Sequence, residues 1–220
     1  MKRLILLGPP ASGKGTQGNL IEAALGVPTC STGALLRDEI AADTVLGREA
    51  GKYLSKGQLL PDDLMLAAVR GWIERRRGGF ILDGFPRTLV QAGALDELLA
   101  GWSLEIDAAL YLDVSEEVLE ERILHRVQCT ECRAIFRLGD EVADIETPCP
   151  SCGGSLHRRK DDTPETLQLR LEEYRQKTAP LLGFYRDRGN LFRINGDQSS
   201  QSVFKEIERV IGKAESKQHS

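Results

Sequence analysis

Short apolar runs alternate with longer segments of helical periodicity along most of this chain. The apolar runs are Arg3–Leu7, Phe80–Leu82, Ala108–Val114 and Leu191–Ile194. Helix-length segments lie between or after them, at about Lys14–Leu25, Asp62–Arg76, Leu89–Ala100, Ser115–Arg126 and Pro164–Arg186. Buried strands that alternate with helices are typical of βαβ units, so we expect an α/β fold whose parallel β-sheet is flanked by helices on both faces.

Two stretches interrupt the alternation. Residues 31–61 contain helix-like segments without a strong strand, and residues 127–162 contain two cysteine pairs, turn residues and a few apolar positions typical of strands. We interpret both as insertions into one α/β core, the first helical and the second a small β segment. The predicted core domain then comprises residues 1–30, 62–126 and 163–220, with the polar residues 214–220 expected to fray.

Composition excludes several classes of protein. Of the 220 residues, 41% are hydrophobic and 28% charged, which is ordinary for a folded soluble protein and unlike a disordered one. The net charge of −4 and the 5% aromatic content argue against binding to nucleic acid. No apolar run approaches the roughly 20 residues that cross a bilayer, and the N-terminal run is too short for a signal peptide. We therefore expect a cytoplasmic protein without nucleic-acid or membrane partners.

The first predicted strand leads into a glycine-rich loop, Gly8–Gln17, with the sequence GPPASGKGTQ. Such a loop between a strand and a helix binds phosphate, because glycines let backbone N–H groups turn toward it and the helix N-terminus is electropositive. Lys14 supplies a cation for the outer phosphates. Gly15 stands where a magnesium-binding Ser or Thr is usual, and Thr16 follows one residue later. The loop predicts a nucleotide phosphate site and leaves open whether Thr16 contacts magnesium.

The apolar run Phe80–Leu82 ends in Asp83. Open α/β sheets bind ligands at the carboxyl ends of their strands, so this carboxylate is expected at the phosphate site. An acid in that position commonly orients the magnesium ion of a nucleotide, often through water. The alternative is a turn or capping aspartate, just as a plain turn with an exposed lysine is the alternative for the loop.

Four of the five cysteines form two pairs, Cys129/Cys132 and Cys149/Cys152, each with two residues between its members. Two such pairs, 16 residues apart, match the spacing of a tetrahedral four-thiolate zinc site. Four thiolates leave no open coordination position, so the metal would be structural and would fold a segment with few apolar residues. Iron at the same ligands, free thiols and a redox pair are the alternatives. Cys30 is expected to be a small buried side chain.

Several segments, in a fixed order, carry a family resemblance. They read GPPASGKGTQ, STGALLR (Ser31–Arg37), LDGFPRTLVQ (Leu82–Gln91), RRKDDTPET (Arg158–Thr166) and APLLGFY (Ala179–Tyr185). Together they resemble the adenylate kinases of the nucleoside monophosphate kinase family, specifically the long bacterial type with a zinc-bearing lid. The resemblance extends from Lys2 to about Gly212. It implies reversible phosphoryl transfer from Mg-ATP to AMP, giving two ADP.

The resemblance also implies which residues bind each nucleotide. The ATP site would comprise Pro10, Ala11, Ser12, Gly13, Lys14, Gly15 and Thr16 at the phosphates, with Arg122 stacked on the adenine. The AMP site would comprise Thr32, Arg37, Gln58, Leu59, Leu60, Gly84, Arg87, Gln91, Arg159 and Arg170. In that site Arg37 and Arg87 would bind the AMP phosphate, and Gln91 would hydrogen-bond the adenine, with Thr32 beside it. Backbone at residues 58–60 would border the base.

Catalysis would then depend on one lysine, one aspartate and four arginines. These are Lys14, Asp83, Arg87, Arg126, Arg159 and Arg170. The resemblance implies that residues 31–61 form an AMP-binding domain and that residues 127–162 form a zinc-bearing lid. When that lid closes, Arg159 and Arg170 would reach the transferring phosphoryl group.

Three features depart from the family pattern. Ala34 replaces an aspartate that helps hold water around magnesium, so more of that role would fall to the aspartate at the strand end. Val127 replaces the second arginine of a pair, which leaves Arg126 alone. Ala11 and Ser12 replace Gly-Ala in the phosphate loop, a change that suits the fold if the backbone angle at residue 11 accommodates a side chain.

The proposed chemistry is physically consistent with these residue types. Transfer between two phosphates needs positioning, charge neutralisation and exclusion of water, and needs no general base because the acceptor phosphate is already anionic. Arginine suits the task because its planar fork binds phosphate oxygens bidentately. The alternatives are a UMP, CMP or GMP kinase, a zinc-ribbon ATPase that binds nucleic acid, or a nucleotide-binding protein without turnover. We expect magnesium with ATP, a structural zinc ion and a monomer.

Overall fold

The computed structural model describes residues 2–56, 58–159 and 161–217, with side chains described as far as residue 212. The strands are β1 (Arg3–Leu7), β2 (Thr29–Ser31), β3 (Phe80–Asp83), β4 (Ala108–Asp113), β5 (Arg126–Cys129), β6 (Ile135–Arg137), β7 (Leu156–His157) and β8 (Leu191–Asn195). The α-helices are α1 (Lys14–Leu25), α2 (Thr32–Ala41), α3 (Val45–Leu54), α4 (Asp62–Glu74), α5 (Leu89–Ala100), α6 (Glu116–His125), α7 (Pro164–Glu173), α8 (Pro180–Asp187) and α9 (Ser200–Lys217).

A five-stranded parallel sheet in the order β2-β3-β1-β4-β8 forms the centre of the fold. Leu4 of β1 lies opposite Ile81 of β3 on one side and Ala108 of β4 on the other, and all three are fully buried. Helices cover both faces of these strands, so the strands carry continuous apolar runs instead of alternating polar and apolar residues. The predicted parallel sheet flanked by helices is confirmed.

Two elements of the core were absent from the sequence prediction. The edge strand β2 has only three residues, and its Cys30 pairs with Leu82 of β3. Helix α9 packs Val203, Ile207 and Ile211 against the sheet, at helical spacing. It continues to Lys217, so fraying is not observed up to that residue, and residues 218–220 lie outside the described residues. Across the described part of the chain, none of the helices is both long and apolar enough to cross a membrane.

Two predicted helices end differently from the expectation. Helix α6 stops at His125 because Arg126 adopts extended backbone and begins β5. The segment predicted as one long helix from Pro164 is divided into α7, a π-helical segment (Tyr174–Thr178) and α8. Pro180, which has no N–H to donate, stands at the first turn of α8, directly after the π-helical segment.

The two insertions fold in different ways. Residues 31–61, here called the helical insertion, contain α2 and α3, which cross so closely that a Cβ at Gly47 would lie 2.0 Å from the Glu39 carbonyl oxygen. The buried residues of this insertion belong to the same apolar cluster as the central sheet. Residues 127–162, here called the cysteine segment, contain a three-stranded antiparallel sheet in the order β6-β5-β7 and have an apolar cluster of their own.

Candidate active site

A cavity of about 480 Å³ adjoins the carboxyl ends of β1 and β3, and residues from the helical insertion and the cysteine segment also line it. It brings together every residue that the sequence assigned to ATP or AMP. These are Pro10, Ala11, Ser12, Gly13, Lys14, Gly15, Thr16, Thr32, Arg37, Gln58, Leu59, Leu60, Asp83, Gly84, Arg87, Gln91, Arg122, Arg126, Arg159 and Arg170. A set of residues drawn from distant parts of the chain thus surrounds one space of nucleotide-binding size.

The phosphate loop is held in a conformation that depends on glycine. A Cβ at Gly8 would lie 2.7 Å from Ser12 Oγ and 2.8 Å from the Leu112 carbonyl oxygen. Gly13, with a φ of 96°, precedes α1 without a side-chain cap, which leaves the first N–H groups of the helix available to an anion. Ala11 has a φ of 63°, which is a left-handed backbone conformation. The expectation that the backbone at residue 11 readily accommodates a side chain is therefore not met. An alanine in this left-handed region costs about 1–2 kcal/mol, because its Cβ approaches the following carbonyl.

The Lys14 ammonium lies inside the loop. Its Nζ donates to the carbonyl oxygens of Gly8, at 2.8 Å, and Pro9, at 2.7 Å. Burial lowers the pKa of Lys14 from 10.5 to about 8, although the nearby carboxylate of Asp83 acts in the opposite direction. A buried cation of this kind is stabilised when a phosphate replaces its carbonyl partners.

Asp83 ends β3 beside the start of α1. A Cβ at Gly15 would lie 3.7 Å from Asp83 Oδ2, so the carboxylate borders the phosphate loop. The Thr32 hydroxyl lies 3.2 Å and 3.0 Å from the carbonyl oxygens of Asp83 and Gly84, which fixes the turn after the strand. No residue in the described ranges donates a hydrogen bond to the carboxylate, so its oxygens fit the water shell of a magnesium ion. Thr16 also lines the cavity.

Among the described residues, seven arginines line the cavity, and five of them, from different elements, are the candidates for binding phosphate. They are Arg37 of α2, Arg87 after β3, Arg126 of β5, Arg159 of the cysteine segment and Arg170 of α7. Burial is the main cause that lowers the pKa of Arg37, Arg87 and Arg159, the last to about 10. Neighbouring arginines lower it further, while nearby aspartates act in the opposite direction. This concentration of positive charge is relieved when a polyanion enters.

Side-chain partners orient three of these guanidinium groups. Arg126 Nε donates to Asp162 Oδ2 at 2.7 Å, and Arg170 forms an ion pair with Asp161. Arg159 Nε donates to Gln128 Oε1 at 2.8 Å. The two aspartates belong to the motif RRKDDTPET, but sequence reasoning assigned them no role. Their position two and three residues after Arg159 is the only feature of the sequence that indicates a pairing with arginine.

Two departures from the family pattern lie away from the cavity lining. Val127 is fully buried in the apolar cluster of the cysteine segment. Ala34 lies on α2 outside the lining.

Arg122, expected against the ATP adenine, donates to the carbonyl oxygens of Ser12, at 3.2 Å, and Gly196, at 2.7 Å. It therefore also ties the phosphate loop to the connection between β8 and α9.

The four paired cysteines form one cluster. All four Sγ atoms lie within 4.8 Å of one another, with 3.5 Å between Cys129 and Cys152 and 3.6 Å between Cys132 and Cys149. A zinc ion with Zn–S bonds of about 2.3 Å would place the sulfurs about 3.8 Å apart, so the arrangement fits a tetrahedral metal.

The backbone around the cluster also favours a metal-bound thiolate. The Glu131 N–H donates to Cys129 Sγ at 3.4 Å, and a Cβ at Gly154 would lie 3.0 Å from the same sulfur. Burial opposes ionisation of Cys129, but the backbone N–H groups of Cys132 and Glu131 lower the pKa of its thiol to about 7. Cys30 is buried in the main core, as expected.

An ion pair connects the two insertions. Arg133, in the turn between β5 and β6, contacts the carboxylate of Asp38 on α2. Both side chains are about half exposed. Arg133 has a φ of 62°, an uncommon backbone conformation for a residue with a side chain.

A phosphate loop at the switch point of a parallel sheet places the protein among the phosphate-loop nucleotide-binding proteins. The family model described as adenylate kinase matches residues 6–190. The chain is 41% identical over 215 residues to an adenylate kinase of Archaeoglobus fulgidus, covering 97% of this chain and 99% of that protein. It is 44% identical to adenylate kinases of Syntrophomonas wolfei, over 94% and 98% of the two chains, and of Clostridium tetani, over 95% and 98%. The chain belongs to the adenylate kinase family of nucleoside monophosphate kinases.

Proposed function

We propose that the protein catalyses reversible transfer of the terminal phosphoryl group of Mg-ATP to AMP, giving two ADP. The observation that carries this proposal is the convergence of the phosphate loop and five arginines on one cavity. Asp83 adjoins both groups, because its Oδ2 borders Gly15 of the loop and the next residue, Gly84, accepts a hydrogen bond from Arg87 Nε at 2.8 Å. One phosphate-binding region thus borders another, as direct transfer between two nucleotides requires.

The loop side of the cavity is proposed to bind ATP. The free N–H groups at the start of α1 and the Lys14 ammonium would bind the phosphate oxygens. Asp83, with Thr16 nearby, would hold the water shell of magnesium, which supplies charge neutralisation on the phosphates when bound. Arg122 would lie against the adenine.

The other side is proposed to bind AMP. Arg37 and Arg87 would bind the AMP phosphate, and Arg87 is already oriented by donation from its Nε to the Gly84 carbonyl oxygen at 2.8 Å. Thr32, Gln91 and the backbone at residues 58–60 would surround the adenine. Arg170 lines the same cavity as these two arginines, so it is available to the same phosphate.

Catalysis is proposed to rest on electrostatic stabilisation in a space from which water is excluded. Arg126, Arg159 and Arg170, oriented by their side-chain partners, would bind the oxygens of the transferring group. The helical insertion would act as the AMP-binding domain, and the cysteine segment as a lid with structural zinc. Closure of both would prevent hydrolysis of ATP by water.

The protein is further proposed to act as a monomer in the cytoplasm. The motifs assigned to both nucleotides lie in this one chain, which supports a monomer. A four-thiolate metal site requires reduced cysteines, which a cytoplasmic compartment maintains. Neither a nucleic acid nor a membrane is proposed as a partner.

The test of the proposed function is ADP formation from Mg-ATP with AMP, CMP, UMP and GMP in parallel, beside a reaction without an acceptor. Turnover with AMP well above the other acceptors is the expected result. Turnover only with another monophosphate would retain the chemistry and refute the adenine assignment. Absence of turnover with every acceptor, from folded and metal-loaded protein, would refute the proposal.

Arg87→Ala is expected to lower kcat/KM for AMP at least about 100-fold, which corresponds to about 3 kcal/mol lost from a charged hydrogen-bond network. The KM for ATP should change much less, because the loop side of the cavity is intact. Steady-state kinetics with each substrate varied in turn measures both. Arg186→Ala, which removes an exposed arginine on α8, is the matched control and should behave as wild type. Near-normal turnover of the Arg87 variant would refute the site assignment.

A further inference from the structure

The Gln91 side chain is held from two directions. It lies in the first turn of α5, is only 2% exposed and lines the cavity. Its Oε1 accepts a hydrogen bond from the Arg87 backbone N–H at 2.7 Å, and its Nε2 donates to Asp62 Oδ1 at 2.7 Å. Thr88 fixes the same turn, because its hydroxyl accepts from the Gln91 N–H at 3.1 Å and donates to Asp62 Oδ2 at 3.1 Å.

These partners permit only one orientation of the amide. A carboxylate only accepts hydrogen bonds, and a backbone N–H only donates. Rotating the Gln91 amide by half a turn would set its oxygen against Asp62 and its NH₂ against the Arg87 N–H. Both contacts would then be unfavourable, in a buried place where an unsatisfied polar group costs about 1–3 kcal/mol.

The fixed amide retains one lone pair on Oε1 and one hydrogen on Nε2. An acceptor and a donor thus remain side by side for a base edge in the cavity. Adenine presents an amino donor at position 6 and an acceptor at N1, which match this pair. Hypoxanthine and guanine present a carbonyl at position 6 and a donor at N1, which oppose it.

We propose that Asp62 is a positioning residue that sets the base preference of the acceptor site by fixing the Gln91 amide. This inference rests on the proposed function, because it requires the AMP adenine to lie at Gln91. Asp62 itself lies outside the lining of the main cavity and borders a separate one of about 330 Å³, together with Pro61, Thr88 and Lys177. It therefore acts through Gln91 and not on the nucleotide.

The experiment compares kcat/KM for AMP and for IMP, whose base is hypoxanthine, in wild type and Asp62→Ala. The AMP:IMP ratio is expected to fall at least about tenfold in the variant, since one of the two constraints on the amide is lost. The KM for ATP should stay near the wild-type value. Asp62→Asn, which keeps an acceptor toward Gln91, is expected to recover most of the ratio.

The matched control is Asp63→Ala. Asp63 is the adjacent acidic residue in the first turn of α4 and is exposed, so its loss removes the same charge from the helix start. Its AMP:IMP ratio should equal that of wild type. An unchanged ratio in Asp62→Ala, or an equal fall in Asp63→Ala, would overturn the inference.

A second variant guards against a folding defect in Asp62→Ala. Serine is well tolerated at helix starts and its shorter side chain falls short of Gln91, so Asp62→Ser should show the same loss of AMP:IMP discrimination. Wild-type turnover is measured first. Wild-type protein that fails to use AMP would refute the proposed function, whereas a wild type that prefers AMP and an Asp62 variant that prefers it equally would refute only this inference.

Discussion

Replacing Lys14 with methionine is expected to lower the rate of ADP formation at least about 10³-fold, an effect typical of removing a charge that stabilises the transition state. Methionine fills similar space but cannot donate to phosphate. The rate is measured with saturating Mg-ATP and AMP. Lys52→Met, which removes an exposed lysine from the helical insertion, is the control and should retain normal turnover. Activity of the Lys14 variant within tenfold of wild type would contradict the assignment of the phosphate loop.

The same substitution should stabilise the folded protein, and the gain should depend on pH. The pKa of Lys14 is about 8 in the folded state against 10.5 ordinarily, so the unfolded chain binds more protons between these values. Protonated Lys14 therefore disfavours folding by up to about 3 kcal/mol below pH 8, and this penalty vanishes as pH rises above 10.5. Lost hydrogen bonds to Gly8 and Pro9 offset part of the gain.

Denaturant unfolding at pH 7.5 and 9.5 measures this effect. The difference in unfolding free energy between Lys14→Met and wild type should narrow by about 2 kcal/mol between these two pH values. Lys52→Met provides the baseline for other titrating groups. A difference that is constant or widens with pH would show that burial does not depress the pKa of Lys14.

Removing metal from the four-cysteine cluster is expected to unfold the cysteine segment while the central sheet stays folded. The apolar cluster of this segment is small, and Cys129 and Cys149 are themselves part of it. Structural zinc contributes about 10–16 kcal/mol in small zinc-bound folds, far more than so few apolar side chains can supply. Turnover should fall at least about 100-fold, because Arg159 and the Asp162 partner of Arg126 belong to this segment.

Two experiments test this expectation: chelation removes the metal, and Cys149→Ser removes one of its ligands. Released metal is measured by elemental analysis, and unfolding is followed by hydrogen exchange of residues 127–162 against the β1 and β4 strands. Cys30→Ser, outside the cluster, serves as the control for loss of a buried thiol. If chelation released no metal and left exchange in the segment unchanged, the structural-metal interpretation would be wrong.

The central sheet was predictable because its inner strands are buried on both faces and leave continuous apolar runs in the sequence. The edge strand β2 left no such run, since it has three residues and two of them are polar. Helix α9 was missed even though its apolar positions repeat at helical spacing, because they are separated by many charged and polar residues. Elements with long, uninterrupted apolar runs could thus be predicted, whereas a short strand and a helix rich in polar residues could not.

Site residues that lie in local sequence motifs were predictable, whereas their partners from distant parts of the chain were not. Lys14, Asp83 and Arg87 lie in compact motifs whose chemistry depends on neighbours in sequence, and all of them line the cavity. The role of Asp62 depends on Gln91, 29 residues away, and Asp162 reaches Arg126 across 36 residues. Such partners depend on how separate elements approach one another, which one sequence does not specify.

The strength of the ion pair between Asp38 and Arg133 bears on the rate at which products are released. An ion pair between two side chains that are about half exposed contributes at most about 1 kcal/mol. If the two insertions close as proposed, a contribution of this size would change the ratio of closed to open molecules by no more than about fivefold. In the proposed closure, such a weak contact would favour the closed arrangement of the two insertions and would still allow both ADP molecules to dissociate. Added salt should weaken it and hasten product departure.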